Sequence, residues 1–421
     1  MTERQHAKPA AFVIAGAFLV TMLGPTLPTP LYPLYEEELH FGSLMVTLIF
    51  ATYAVGVAAA LILFGRLSDQ IGRRKLLLPG LALAALSSAV FLIPDSLTAL
   101  FVGRVLSGLS VGIFTGTATA ALADLAPPGQ LRRYSLIAAV VNMLGLGLGP
   151  VLAGGLAQFI TAPLTVPFLV HIVAALLAMV GVAVIAEPSS PPEGKPQWRI
   201  QRLRLPREVR GTFVRASTAG FAGFAVLGLF ASIAPALLSQ ILHIGNHLVC
   251  GLVVFLQLGF SAIGQVCSTR MRDEIGLMVG TATMAVGISL TGVSVATASL
   301  PVLLGGAVVA GMGQGMGFRA ALSAINAASP SDARGEITSA FFLVLYVAQA
   351  VPVIGVGMAA GSVGLVTAAV AFAATIAAVS LGAFLSLVLA RNAGGRPGSG
   401  QAENTSGADG ERAFLKGGVR R

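Results

Sequence analysis

Along the chain, long apolar runs alternate with short polar links, and the alternation repeats twelve times. The runs cover 10–31, 42–64, 76–94, 98–125, 134–159, 165–186, 213–241, 247–268, 276–298, 302–326, 337–359 and 363–390. Roughly 20 apolar residues in a helix cross a bilayer, and lipid admits only backbone that satisfies its own hydrogen bonds. The pattern therefore predicts an all-α membrane protein of twelve spans. Two links break the rhythm, 187–212 and 391–421. They divide the chain into an N-terminus (1–9), a six-helix bundle (10–186), a basic linker (187–212), a second six-helix bundle (213–390) and a tail (391–421). The tail is rich in Gly, Ser and charge and is expected to be disordered.

Composition agrees. Of 421 residues, 55% are hydrophobic and 10% charged, and the mean hydropathy is +0.86. A soluble domain carries about 25% charged residues. The net charge of +9 suggests nucleic acid until its placement is read. Apart from Arg104 and Arg319, the Lys and Arg residues fall at the N-terminus, in links 2–3, 4–5, 8–9 and 10–11, in the central linker with the start of span 7, and in the tail. The alternate links hold none. This is the distribution of cytoplasmic loops, so both termini are expected in the cytoplasm of a cell with a bacterial-type inner membrane. In the linker, Trp198 stands among Arg199, Arg202 and Arg204. That fits either a segment resting on anionic inner-leaflet lipid or a flexible basic tether. Cys250 and Cys267 give no disulfide framework and read as small packing residues. His243 and His247 lack a third ligand nearby, so no metal and no cofactor is expected.

The halves share a weak repeat at an offset of 202: Pro33, Gly103, Pro128, Arg132 and Pro150 match Pro235, Gly305, Pro330, Arg334 and Pro352. Between spans 2 and 3 lies Gly65-Arg66-Leu67-Ser68-Asp69-Gln70-Ile71-Gly72-Arg73-Arg74-Lys75. Its glycines permit a tight turn, Asp69 suits a helix start, and the basic cluster suits a cytoplasmic anchor. Span 4 carries Arg104 ahead of Gly108, Gly112 and Gly116, a spacing that lets another helix approach closely. A buried arginine needs a cavity or a partner. Span 5 carries Gly149-Pro150 and Gly154, which bend and pack a helix. Span 1 ends in Pro28, Pro30 and Pro33, which would interrupt a straight helix, with Tyr32 and Tyr35 suited to the membrane interface.

These motifs, in these spans, resemble those of the major facilitator superfamily, and in particular its twelve-span drug/proton antiporter-type efflux permeases. The resemblance implies two pseudo-symmetric bundles with a substrate site between them. It implies a cytoplasmic latch of Gly65, Asp69, Gly72, Arg73 and Arg74, with Asp124 completing a charge relay, and a coupling role for Arg104. It also implies an antiporter's fifth-span motif at Gly149, Pro150 and Gly154, although Ala153 stands where that motif has a glycine. The activity implied is alternating-access, proton-linked efflux of small amphipathic molecules by a monomer.

The residues leave alternatives. Asn142, Gln257, Gln314, Arg319 and Gln349 are polar positions within spans and candidate substrate contacts. None of the 17 acidic residues lies mid-membrane, and His171, well inside span 6, is read as the only buried group with an unperturbed pKa near neutrality. Coupling is expected through His171, Asp124 or the substrate's own proton. Uptake or uniport of a small organic anion, with Arg104 or Arg319 as counter-charge, is the rival within transport. A non-transporting receptor or a membrane enzyme is the rival from another class, although no catalytic cluster is visible. Gly108-Leu109-Ser110-Val111-Gly112 imitates a hydrolase motif but lies within a predicted helix.

Overall fold

The computed structural model describes residues 2–64, 67–188, 205–330 and 333–394. Twelve of its helices are long and apolar enough to cross a membrane. They are span 1 (Lys8–Leu39), span 2 (Ser43–Phe64), span 3 (Arg74–Phe91), span 4 (Leu97–Asp124), span 5 (Leu131–Phe159) and span 6 (Val166–Val184). The second six are span 7 (Arg207–Ser232), span 8 (His247–Ser268), span 9 (Asp273–Thr297), span 10 (Leu300–Ala328), span 11 (Arg334–Val363) and span 12 (Leu365–Asn392). Links 2–3, 4–5, 8–9 and 10–11 share one face, here the basic face; the opposite end is the far face.

Local chemistry sets several helix ends. Ser96 Oγ accepts from the Ala99 N–H (3.2 Å) and starts span 4, and Asn246 Oδ1 accepts from the Val249 N–H (3.0 Å) and starts span 8. A side-chain oxygen there satisfies a donor that the helix itself cannot. In span 1, prolines end the regular helix at Leu23; two 3₁₀ turns, Gly24–Thr26 and Thr29–Leu31, lead into a last helix, Tyr32–Leu39. Span 7 behaves likewise. The expected run to 241 is regular only as far as Ser232, and a short turn at Ala234–Ala236 and a π turn at Leu237–Ile241 follow. The two breaks meet: Thr29 Oγ1 donates to the Ala231 carbonyl at 2.9 Å. These partners are 202 residues apart, the offset of the sequence repeat, so equivalent positions of the halves touch across their pseudo-symmetry axis.

Each half has its own apolar core, one around Phe18, Leu81 and Phe114 and another around Val226, Phe230 and Ile288. Leu177, Val180, Val184 and Leu389 remain exposed on the outer surface, as helices in lipid require. Tyr32 and Tyr35, expected at the membrane interface, are instead buried at 2% and 5% exposure beneath Leu27, Leu31 and Phe168. The broken end of span 1 turns them inward. Cys250 is buried, whereas Cys267 is exposed. The last helix runs to Gly394, beyond the expected 390; the rest of the tail and linker residues 189–204 lie outside the described residues.

Candidate functional site

Between the halves lies a cavity lined by residues of both. The first half lines it with Pro25, Phe50, Tyr53, Arg104, Thr115 and Asn142. The second contributes Phe224, Gln257, Phe318, Phe342, Tyr346 and Gln349. Of the expected contacts, the structure brings together Arg104, Asn142, Gln257 and Gln349. Aromatic rings form much of the remaining wall: Tyr53 meets Tyr346 edge-on across the halves at 6.1 Å, and Phe224 meets Tyr346 at 6.2 Å.

Arg104 is 1% exposed. Its guanidinium donates to the Pro25 carbonyl and, at 3.3 Å, to the Phe50 carbonyl. It lies 5.2 Å from the Phe50 ring centre and 4.9 Å from that of Tyr53. The break in span 1 frees Pro25 for this contact, and the ring faces offset part of the charge. Nε has no partner, nor do Thr115 Oγ1, Asn142 Oδ1 or either polar atom of the Gln257 amide. Among the described residues, no carboxylate lines the cavity.

Three expected residues lie outside the lining. The Arg319 guanidinium donates to the Ser268 carbonyl (2.7 Å) and stands 3.6 Å from Asp273, towards the basic face. Gln314 accepts from Ser261 Oγ. His171 is buried among spans 1, 3 and 6. Its Nε2 stands 3.0 Å from the Val20 carbonyl and its Nδ1 2.7 Å from Ser88 Oγ. A carbonyl can only accept, so Nε2 carries the proton and Nδ1 accepts from Ser88, an assignment made from the bonding pattern. The neutral imidazole is thus fully bonded.

The far face is sealed. A Cβ on Gly154 would lie 2.2 Å from the His247 carbonyl oxygen, and one on Gly251 would lie 2.2 Å from that of Pro150. Spans 5 and 8 therefore touch backbone to backbone. His247 adds bonds from its N–H to Gln158 Oε1 (3.1 Å) and between Nδ1 and the Pro30 carbonyl (3.0 Å). Gly149 packs equally closely on Leu23 and Thr26, and Pro150 lies within the helix of span 5. This motif wedges span 5 between span 1 and span 8.

At the basic face, link 2–3 contains a short helix, Leu67–Ile71. Gly65 and the side chain of Asp69 lie outside the described residues. Arg73 Nε donates to Asp124 Oδ2 at 2.9 Å, and Arg74 donates to the Ile185 carbonyl at 3.3 Å. Sequence reasoning missed Glu187. Its carboxylate accepts the backbone N–H of Arg73 (2.6 Å) and of Arg74 (3.2 Å), at the start of span 3, where the helix dipole favours an anion. An acidic residue just beyond span 6 was the available signal. The cavity aromatics were also missed, because a ring within an apolar run gives no sign of which way it faces.

The sequence model of the Major Facilitator Superfamily matches residues 14–353. The quinolone resistance protein NorA of Staphylococcus aureus is 27% identical over 148 residues, covering 35% of this chain and 38% of that protein. The tetracenomycin C resistance and export protein of Streptomyces glaucescens is 29% identical over 177 residues, 42% of this chain and 32% of that one. The chain thus matches less than half the length of these relatives. In three dimensions it resembles a bacterial homologue of the human lysosomal transporter Spinster, in an inward-facing and unoccupied conformation. The TM-score is 0.72 at 14% identity, with 91% of this chain and 97% of the other covered.

Proposed function

The chain belongs to the major facilitator superfamily, and from that premise we propose that it is a secondary transporter exporting small amphipathic molecules in exchange for protons. The observation that carries this reading is the cavity itself: it lies between two pseudo-symmetric halves, mixes aromatic walls with unpaired polar atoms, and is shut from the far face. Two relatives named for drug resistance or export support the direction. In the proposed cycle the basic face is cytoplasmic, the cavity loads from that side, and the seam between spans 5 and 8 parts to release substrate outside. Arg73, Asp124 and Glu187 anchor link 2–3 to spans 4 and 6, so that the first half moves as one body. The protein acts as a monomer in a bacterial-type inner membrane, with no catalytic step.

Among the described residues no carboxylate lines the cavity, so in this reading the proton is carried through Asp124, through His171 after it leaves its present bonds, or by the substrate. Proteoliposomes with an imposed pH gradient test the proposal. Uphill movement that collapses with a protonophore is expected, and labelled substrate should fall in cells that express the protein. Gradient-independent equilibration would instead make it a uniporter, and a rise in cell content would make it an importer. Asp124→Asn and His171→Gln, each assayed with a non-titrating substrate, identify the coupling group: the variant that loses gradient dependence while retaining equilibration carries it.

A further inference from the structure

We propose that the cavity selects amphipathic molecules with an anionic headgroup, a carboxylate above all, and rejects lipophilic cations; this rests on reading the cavity as the substrate site. Arg104 is almost wholly buried yet lines the cavity. A guanidinium keeps its charge at any physiological pH. It has five N–H donors, and the structure accounts for two of them, both on neutral carbonyls. Nε is buried without a partner. A buried cation without a counter-ion is costly, and the two carbonyls and two rings relieve only part of that cost.

Among the described residues, no acidic side chain lines the cavity to supply a counter-charge. The Gln257 amide, 1% exposed, has both polar atoms unpaired, and Thr115 offers an unpaired hydroxyl. These groups can donate to carboxylate oxygens, and Arg–carboxylate bonds are among the strong ones. The aromatic walls accept an apolar body. A cationic ligand would instead meet a like charge where the dielectric is low.

The test uses three probes that share one ring system: 1-naphthylacetate, 1-naphthylacetamide and 2-(1-naphthyl)ethylammonium. Binding to the purified full chain in nanodiscs is measured at neutral pH, and transport is measured in proteoliposomes. The acid should bind about 10-fold or more tighter than the amide, the scale of one charge-assisted bond, and the ammonium should bind weakest. Arg104→Gln should erase the preference for acid over amide, the acid losing far more affinity than the amide, and Arg104→Lys should restore part of that preference. An arginine that merely held Pro25 and Phe50 in place would change all three affinities together. The wild-type ranking decides even if the variants fail to fold. An ammonium that binds as well as the acid, equal binding of acid and amide, or no binding of any probe overturns the inference. Selective binding of the acid without uphill transport upholds it and defeats the export reading; uphill export of the ammonium does the reverse.

Discussion

Glu187 and His171 show what a single residue contributes when its partners are far away in sequence. Glu187 receives two backbone N–H groups from residues 113 and 114 positions earlier, and its carboxylate fills the space beside Gly72. That glycine has φ +102°, and a Cβ on it would lie 2.9 Å from Glu187 Oε2. At Gly129, with φ +79°, a Cβ would meet nothing within 4 Å. Both glycine-to-alanine changes should cost about 1–2 kcal/mol of backbone strain, but Gly72→Ala should cost more, because it also displaces the carboxylate. Thermal melting of the purified variants checks this, and Glu187→Ala should bring Gly72→Ala close to Gly129→Ala. Equal losses for the two glycines in the wild-type background would mean that the Glu187 carboxylate does not hold the space beside Gly72. For His171, replacement by Gln leaves a buried carbonyl or hydroxyl short of a partner, worth about 1–3 kcal/mol. His171→Gln should therefore melt earlier, with substrate affinity unchanged because the ring lies outside the cavity lining. A changed affinity would show that it reaches the site. The sequence exposed His171 as a titratable group inside a span, but Ser88 and Val20 lie 83 and 151 residues away, beyond the reach of any local pattern.

At the scale of elements, lipid made the spans legible, because every crossing must be apolar for about 20 residues and helical. The breaks were legible only where proline marked them. Prolines from Pro25 onward mark the end of the first helix, and Pro235 marks that of the seventh, but the apolar run that continues to 241 masked the second break. The fifth-span motif is legible as a set of residues, but its partner is not: Gly154 meets His247 and Pro150 meets Gly251 across the two halves. This seam closes the far face, so one added methyl group should open it. Gly154→Ala places Cβ 2.2 Å from a backbone oxygen, and a neighbour of that kind cannot rotate away. Overpacking of this type costs about 1–3 kcal/mol, which shifts a two-state equilibrium by roughly 5- to 150-fold. Spin labels at positions 37 and 245, one in each half at the far face, should report a longer and broader distance distribution in Gly154→Ala than in wild type. Gly116→Ala, which meets nothing within 4 Å, is the control and should leave the distribution unchanged. An identical distribution for Gly154→Ala would mean that the seam does not hold the far face shut.

At the scale of the whole molecule, charge and repeat carry the argument. The basic links alternate with uncharged or acidic ones through all twelve spans, and the repeat offset reappears as the contact between Thr29 and Ala231. A global symmetry can be read from one sequence because it is written twice. The cavity cannot, because its walls come from eight spans and only the folded chain shows which faces converge. The proposed orientation across the membrane rests on charge alone, and the proposed cycle depends on it. If the basic face is cytoplasmic, cysteines introduced at Glu37, Asp95 and Gly245 should react with a membrane-impermeant maleimide in intact cells. Cysteines at Gln130 and Glu274 should react only after permeabilisation. All five positions are solvent-exposed, so a lack of reaction cannot be ascribed to burial. The background should carry Cys267→Ala, since that thiol is exposed as well. Labelling of Gln130 or Glu274 in intact cells would invert the molecule, and the sealed face would then be the cytoplasmic one. A structure closed at that end would be the outward-open state of the same alternating-access cycle, and the proposed loading and release sides would exchange.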